Sequence, residues 1–150
     1  MTTETVKLTG KASWAKIYEG NRDKNEAFHG EGGAYTIDVL LEKEELDKLT
    51  ASGSRLKPRL SDDGISIKFK RKHIHPAGIK ALGGPPQVVD AEGNDFSEWL
   101  GNGSTVEVAV DVYDTKMGKG TRLTGVRVVE FVAPPEREEG EEGGAPKLPF

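Results

Sequence analysis

Near its start the chain alternates apolar and polar side chains with period two, through Val6-Lys7-Leu8-Thr9-Gly10-Lys11-Ala12-Ser13-Trp14. A half-buried strand produces that pattern. Gly10, in its middle, predicts a bulge or bend of the kind a small barrel needs in order to curl. Residues 18–33 are polar and glycine-rich and predict a long loop, a feature that in compact domains is usually functional or disordered. Residues 34–41 predict a second strand. The run EKEELDKLT at 42–50 combines helix formers and early acids with Leu46 and Leu49 on one side, and Gly53 follows it. It predicts a short helix.

Alternation resumes after an Asp-Asp-Gly turn at 62–64, with Ile65, Ile67 and Phe69 in one phase and Ser66, Lys68 and Lys70 in the other. Residues 73–86 are broken by repeated Gly and Pro, 87–90 predict a short strand, and 91–103 a turn-rich link. The clearest stripe is Val106, Val108, Val110 and Val112, opposite Glu107, Ala109, Asp111 and Tyr113. A turn at 116–120 and a return strand at 122–132 complete a long hairpin. Beyond Pro134-Pro135 the chain is Glu, Gly and Pro, which cannot bury enough surface to fold.

About five main strands, one short helix and no α/β alternation predict an all-β fold, a five-stranded OB-type antiparallel barrel. It would occupy 1–134, with a disordered acidic tail at 135–150. An immunoglobulin-like sandwich, which wants about seven strands at closer spacing, is the second architecture.

Charge changes this picture. The net charge of −4 runs against the basic footprint of a nucleic-acid binder, but it is segregated. Residues 136–150 carry −3, and residues 55–89 carry +6 from Arg55, Lys57, Arg59, Lys68, Lys70, Arg71, Lys72 and Lys80 against Asp62 and Asp63. A basic middle and an acidic end are the first functional clue. There is no cysteine, hence no disulfide or thiolate metal site. The start lacks a signal-peptide pattern and no apolar run approaches a membrane span, so a soluble intracellular protein without membrane contact is expected.

Three features point to binding rather than catalysis. A groove that follows a sugar-phosphate backbone needs cations along a line, and Lys68, Lys70, Arg71 and Lys72, with Arg55, Lys57 and Arg59, supply them. Arg22 and Lys24 add charge in the long loop. A solvated strand face would carry the same lysines. Bases stack on exposed aromatics; Tyr18, Phe28 and Tyr113 are the candidates. Phe69 and Phe131 have core phase, and Trp14 is ambiguous. The tail, with Glu138, Glu139, Glu141 and Glu142 before a Leu-Pro-Phe tip at Phe150, suits competition for the groove or docking on a partner. His73 and His75 lack further ligands, the Gly-Lys-Gly-Thr at 118–121 is no phosphate loop, and no cofactor, metal or catalytic role is expected.

In order, Gly33-Ala34-Tyr35-Thr36-Ile37-Asp38-Val39, Ile67-Lys68-Phe69-Lys70, Val88-Val89-Asp90-Ala91-Glu92-Gly93, the Gly101-Asn102-Gly103-Ser104 turn and the Phe-terminated acidic tail resemble the single-stranded DNA-binding proteins of tailed phages. The resemblance implies an OB barrel that binds displaced strands in DNA replication or recombination, in the host cytoplasm at replicating DNA. It also implies tail contacts with replisome proteins such as polymerase or helicase/primase. Lys68 and Lys70 would line the DNA groove and Phe150 would be the docking tip. The tail departs from the family in being short and only modestly acidic, and its Leu-Pro-Phe end is similar to bacterial single-stranded DNA-binding proteins. A homodimer stays open. So do two other readings: an RNA-binding OB module, and a β-sandwich interaction or virion structural protein.

Overall fold

Val6, Leu8 and Ala12 are buried and their neighbours exposed along β1 (Thr3–Lys16), as the alternation predicts. The computed structural model describes residues 3–134 apart from Glu19, Asn21, Glu31, Asp62, Asp63, Pro76 and Met117; the side chains of Phe28, His29 and Ser61 and the whole predicted tail lie outside the described residues. After β1 come a four-residue helical turn α1 (Glu26–His29), β2 (Ala34–Leu41), helix α2 (Lys43–Ala51), β3 (Arg59–Ser61), β4 (Gly64–Lys72), a 3-10 turn at Lys80–Leu82, β5 (Gln87–Asp90), β6 (Thr105–Thr115) and β7 (Gly118–Glu130).

β1 divides its pairing. Thr3 to Lys11 pair antiparallel with β6, while Lys11 to Lys16 pair antiparallel with β2. At Gly10 the strand runs so close to β2 that a Cβ there would strike the Leu40 carbonyl oxygen. Gly10 therefore permits a close approach of the two strands, and the β1–β6 ladder passes it without a register shift. The irregularity in the ladder lies further on, between Ser13 and Lys16.

The sheet runs β3-β4-β2-β1-β6-β7-β5 and is not closed by a ladder. Its seven strands correct the expected five. The three-residue β3 carries too little alternation to be legible, and it forms because the chain doubles back onto β4. β5 pairs parallel with β7, so the sheet is not wholly antiparallel as expected. The curled sheet encloses one core of Leu8, Ile37, Val39, Ile67, Phe69, Leu123 and the valine stripe of β6, all with virtually no exposure. Burying each such aliphatic side chain contributes about 1.5–3 kcal/mol. α2 closes one end through Leu49, and its Glu45 carboxylate accepts the Thr9 N–H at 2.8 Å. Among the described residues no helix is long and apolar enough to cross a membrane.

Candidate nucleic-acid interface

β4 sorts its side chains by phase. Ile67, Phe69 and Arg71 point inward, and Lys68, Lys70 and Lys72 point outward. On the outer face, Lys70 lies opposite Thr36 and Lys68 opposite Asp38 of β2, and Asp38 lies in turn opposite Ser13 of β1. Strands β1, β2 and β4 thus present a mixed polar and basic floor.

Trp14 stands at one end of that floor. Where the β1–β2 ladder shifts, its φ is 51°, a left-handed conformation that non-glycine residues rarely adopt. Its side chain is 67% exposed, although its sequence phase matches that of the buried Val6 and Leu8. The Trp14 N–H donates to Asn102 Oδ1 at 2.9 Å, tying the strand to the link before β6. Leu60, on the edge strand β3, is 84% exposed on the same groove.

Three depressions meet end to end across this surface. A groove of about 750 Å³ holds Trp14, Lys11, Asp38, Arg59 and Leu60. Through Arg59 it adjoins one of about 380 Å³ bordered by Lys57, Lys68, Lys70 and Asp23. Through Lys70 that second depression adjoins a pocket of about 190 Å³ with Lys72, His75, Tyr113 and Arg122. Burial lowers the pKa of Lys70, and Lys72 and Lys68 push it further down while Asp23 opposes them. A fourth depression beside α2, about 640 Å³, carries Glu42, Glu44 and Glu45. Its charge repels a polyanion.

The predicted residues divide accordingly. Lys57, Arg59, Lys68, Lys70 and Lys72 converge on the track. Tyr113 borders its far end, with its ring against Gly120 and the Arg122 guanidinium 4.4 Å from the ring centroid. Arg71 lines that last pocket too, but its phase is inward. Only 8% exposed, it donates from Nε to the Gly84 carbonyl at 2.9 Å, from Nη1 to Leu123 at 3.3 Å, and from Nη2 to Ala81 and Gly83, each at 3.0 Å. Burial lowers its pKa and nearby Arg122 lowers it further. Its inward phase commits the guanidinium to the fold.

Tyr18 borders none of the three depressions. Its hydroxyl lies within hydrogen-bond reach of the Phe96 and Glu98 carbonyls, and its ring packs on the core. Burial and then the Glu98 charge raise its pKa to about 12. Arg22 donates to the Gly32 carbonyl at 2.6 Å and shapes its own loop. Arg55 lies against Gly118 at the β6–β7 turn. Neither these two nor Lys24 borders the three depressions. The Phe28 side chain and the tail residues Glu138, Glu139, Glu141, Glu142 and Phe150 lie outside the described residues. Trp14, Lys11, Asp38 and Arg122 were not among the sequence candidates. Trp14, ambiguous in the sequence, stands outward where the β1–β2 ladder shifts between Ser13 and Lys16.

No known protein family matches the sequence, and no curated protein does. The fold is that of an OB-like barrel left open, and solved structures share it. The single-stranded DNA-binding protein gp2.5 of bacteriophage T7 superposes with a TM-score of 0.58 at 18% identity, over 96% of this chain and 99% of that one. The single-stranded DNA-binding protein of bacteriophage Enc34, in complex with ssDNA, superposes with a TM-score of 0.56 at 15% identity, over 87% and 88% of the two chains. Its C-terminal truncation does so with 0.56 at 14% identity, over 87% of each. The chain is thus similar in fold to phage single-stranded DNA-binding proteins across nearly its whole described length.

Proposed function

We propose that the protein binds single-stranded DNA along the outer face of β1, β2 and β4, as a non-enzymatic phage replication or recombination protein. One observation carries this reading: a continuous basic track that begins at an exposed tryptophan. A base stacks on Trp14, a contact worth about 1–3 kcal/mol. The phosphates run past Arg59, Lys57, Lys68 and Lys70 and on toward Lys72 and Arg122. Backbone attraction and stacking accept many sequences, so binding is largely sequence-tolerant. The fold likeness to two phage proteins that bind single strands supports the same class.

The acidic segment 136–150 competes for this track when DNA is absent, and its Phe150 tip docks on replisome partners when DNA displaces it. Deleting 136–150 then tightens DNA binding. Unchanged or weaker affinity removes the competition while leaving DNA binding in place. The class itself is tested by anisotropy titration of labelled oligo-dT, with duplex DNA and matched RNA as competitors at two salt concentrations. Salt-sensitive binding that duplex competes for poorly is the expected result. Stronger competition by RNA assigns an RNA-binding module that uses 2′-hydroxyl contacts, and no binding at low salt, with or without the tail, discards the reading.

A further inference from the structure

Trp14 falls at a gap in its own sheet. β2 pairs Ser13 with Asp38 and next Lys16 with Thr36, so the ladder on that side steps over Trp14. On the other side β1 pairs with β6 as far as Lys11, opposite Thr105. Beyond that point the 101–104 turn takes over. The Ala12 N–H donates to the Ser104 carbonyl at 2.7 Å, and the Gly103 N–H to the Ala12 carbonyl at 2.8 Å. Continued three residues, the same register sets Trp14 opposite Asn102. Gly103, at φ 97°, turns the chain there. The Trp14 N–H therefore meets the Asn102 side chain in place of a backbone carbonyl, 2.9 Å from Oδ1. A backbone N–H can only donate, which fixes the carboxamide with its oxygen toward Trp14. The turn that carries Asn102 is itself anchored. The Gly101 N–H donates to the Val132 carbonyl at 2.7 Å, the buried Ser104 hydroxyl to the Gly101 carbonyl at 2.9 Å, and the Val132 N–H to Ser104 Oγ at 2.9 Å.

We propose that Asn102 is a positioning residue for DNA binding: its Oδ1 holds the Trp14 backbone in the left-handed conformation that turns the indole into the groove. The inference rests on the single-strand reading above. Such a conformation at a bulky residue is unfavourable and persists only where its surroundings hold it. Burial does not hold Trp14, whose side chain is exposed, and the β2 ladder passes it by. The Asn102 acceptor supplies the hold, from a turn tied to both β1 and Val132. Asn102 and Gly103 also border the Trp14 groove, so the support stands beside the ring it positions. Without it the Trp14 segment samples other orientations, and an arriving base must order the ring before stacking on it. That ordering costs affinity, which a ring set in place beforehand avoids.

The test measures oligo-dT binding by anisotropy for the full-length wild type, Asn102→Ala, Trp14→Ala and the double variant, with circular dichroism checking each fold. Trp14→Ala should weaken binding roughly five- to a hundredfold through lost stacking. Asn102→Ala should weaken it roughly two- to tenfold, the range for one hydrogen bond. In the Trp14→Ala background the same change should add nothing, since the two residues act as one unit. Time-resolved fluorescence of the free protein in a Trp99→Phe background reads the motion of Trp14 directly, and Asn102→Ala should loosen it. Asn102→Asp keeps the acceptor: Trp14 should stay as rigid as in the wild type, while the added charge weakens binding by an amount that shrinks as salt rises. Asn102→Asp decides alone where Asn102→Ala does not fold. Additive losses in the double variant overturn this inference alone. So does an Asn102→Ala that binds like wild type while Trp14→Ala does not, or a loosened Trp14 in Asn102→Asp. A Trp14→Ala that binds as tightly as wild type overturns the stacking reading, and this inference with it.

Discussion

Arg71 of β4 donates from Nη1 to the Leu123 carbonyl of β7, at 3.3 Å, across two strands that no ladder joins. The same guanidinium reaches Ala81, Gly83 and Gly84 in the irregular segment that follows β4. One side chain thereby fastens the open side of the barrel and folds the 73–86 segment against it. That arrangement holds β4 in place, and β4 carries the outward lysines of the track.

Replacing Arg71 should cost stability well before it costs binding. Arg71→Met leaves four carbonyls without their donor, and the expected loss is on the order of 3 kcal/mol. Arg71→Lys should recover only part of it, since one ammonium cannot span the fork of acceptors. Urea unfolding reads the loss. Oligo-dT binding by the folded fraction should keep the wild-type salt dependence. A flattened dependence would instead return the guanidinium to the phosphate track.

Trp14 separates function from stability in the opposite direction. A left-handed backbone at a bulky residue costs about 1–3 kcal/mol, and its exposed ring returns little packing. Trp14→Gly should unfold at a denaturant concentration no lower than the wild type, because glycine adopts φ near 51° without strain. Its affinity for oligo-dT should fall by the stacking contribution of about 1–3 kcal/mol. Anisotropy and chemical denaturation on one preparation check both. A variant that binds as tightly as wild type would remove Trp14 from the interface.

Much of the fold is legible in the chain. The stripes at Val106–Val112 and Ile67–Phe69 set their strands and inward faces correctly, and the helix falls where Leu46 and Leu49 predict it. The same period-two logic, carried two residues past Phe69, turns Arg71 inward. Three of its acceptors, Ala81, Gly83 and Gly84, come from Gly- and Pro-rich chain with no period to read. Trp14 escapes for the converse reason: its phase is that of the core, and the ladder shift between Ser13 and Lys16 turns it out. Lys68 and Lys70 stand on the outer face, as their phase predicts.

Glu45 gives the stability a pH dependence of known sign. Burial alone would raise its carboxyl pKa, but the Thr9 N–H and Lys48, 3.1 Å away, outweigh burial and hold it below the ordinary value of 4.5. A carboxylate depressed in the folded state stabilises fully above its unfolded pKa, and that contribution is lost as pH falls through the lower folded value. Glu45→Gln should therefore be less stable than wild type at neutral pH, and the difference should shrink as pH drops below about 4.5. Thermal melts of the two chains from neutral to acid pH read it. A difference that stays constant with pH would show that the Thr9 contact matters and the charge does not.

Salt dependence distinguishes the outer lysines of β4 from the basic residues that miss the track. Lys68 and Lys70 border the central depression, whereas Lys24 borders none of the three. Each phosphate neutralised on a single strand contributes about −0.7 to the slope of log affinity against log salt. Lys68→Ala and Lys70→Ala should each make that slope shallower by about 0.7, and the double variant by about twice as much. Lys24→Ala should leave it unchanged. Lys70, its ammonium already disfavoured by burial and by Lys72 and Lys68, should regain the larger share of binding when a phosphate offsets that repulsion, so its loss should lower affinity more than that of Lys68. Equal, small effects from all three lysines would mean that the strand is held by diffuse charge, and the outer face of β1, β2 and β4 would lose its claim to be the path.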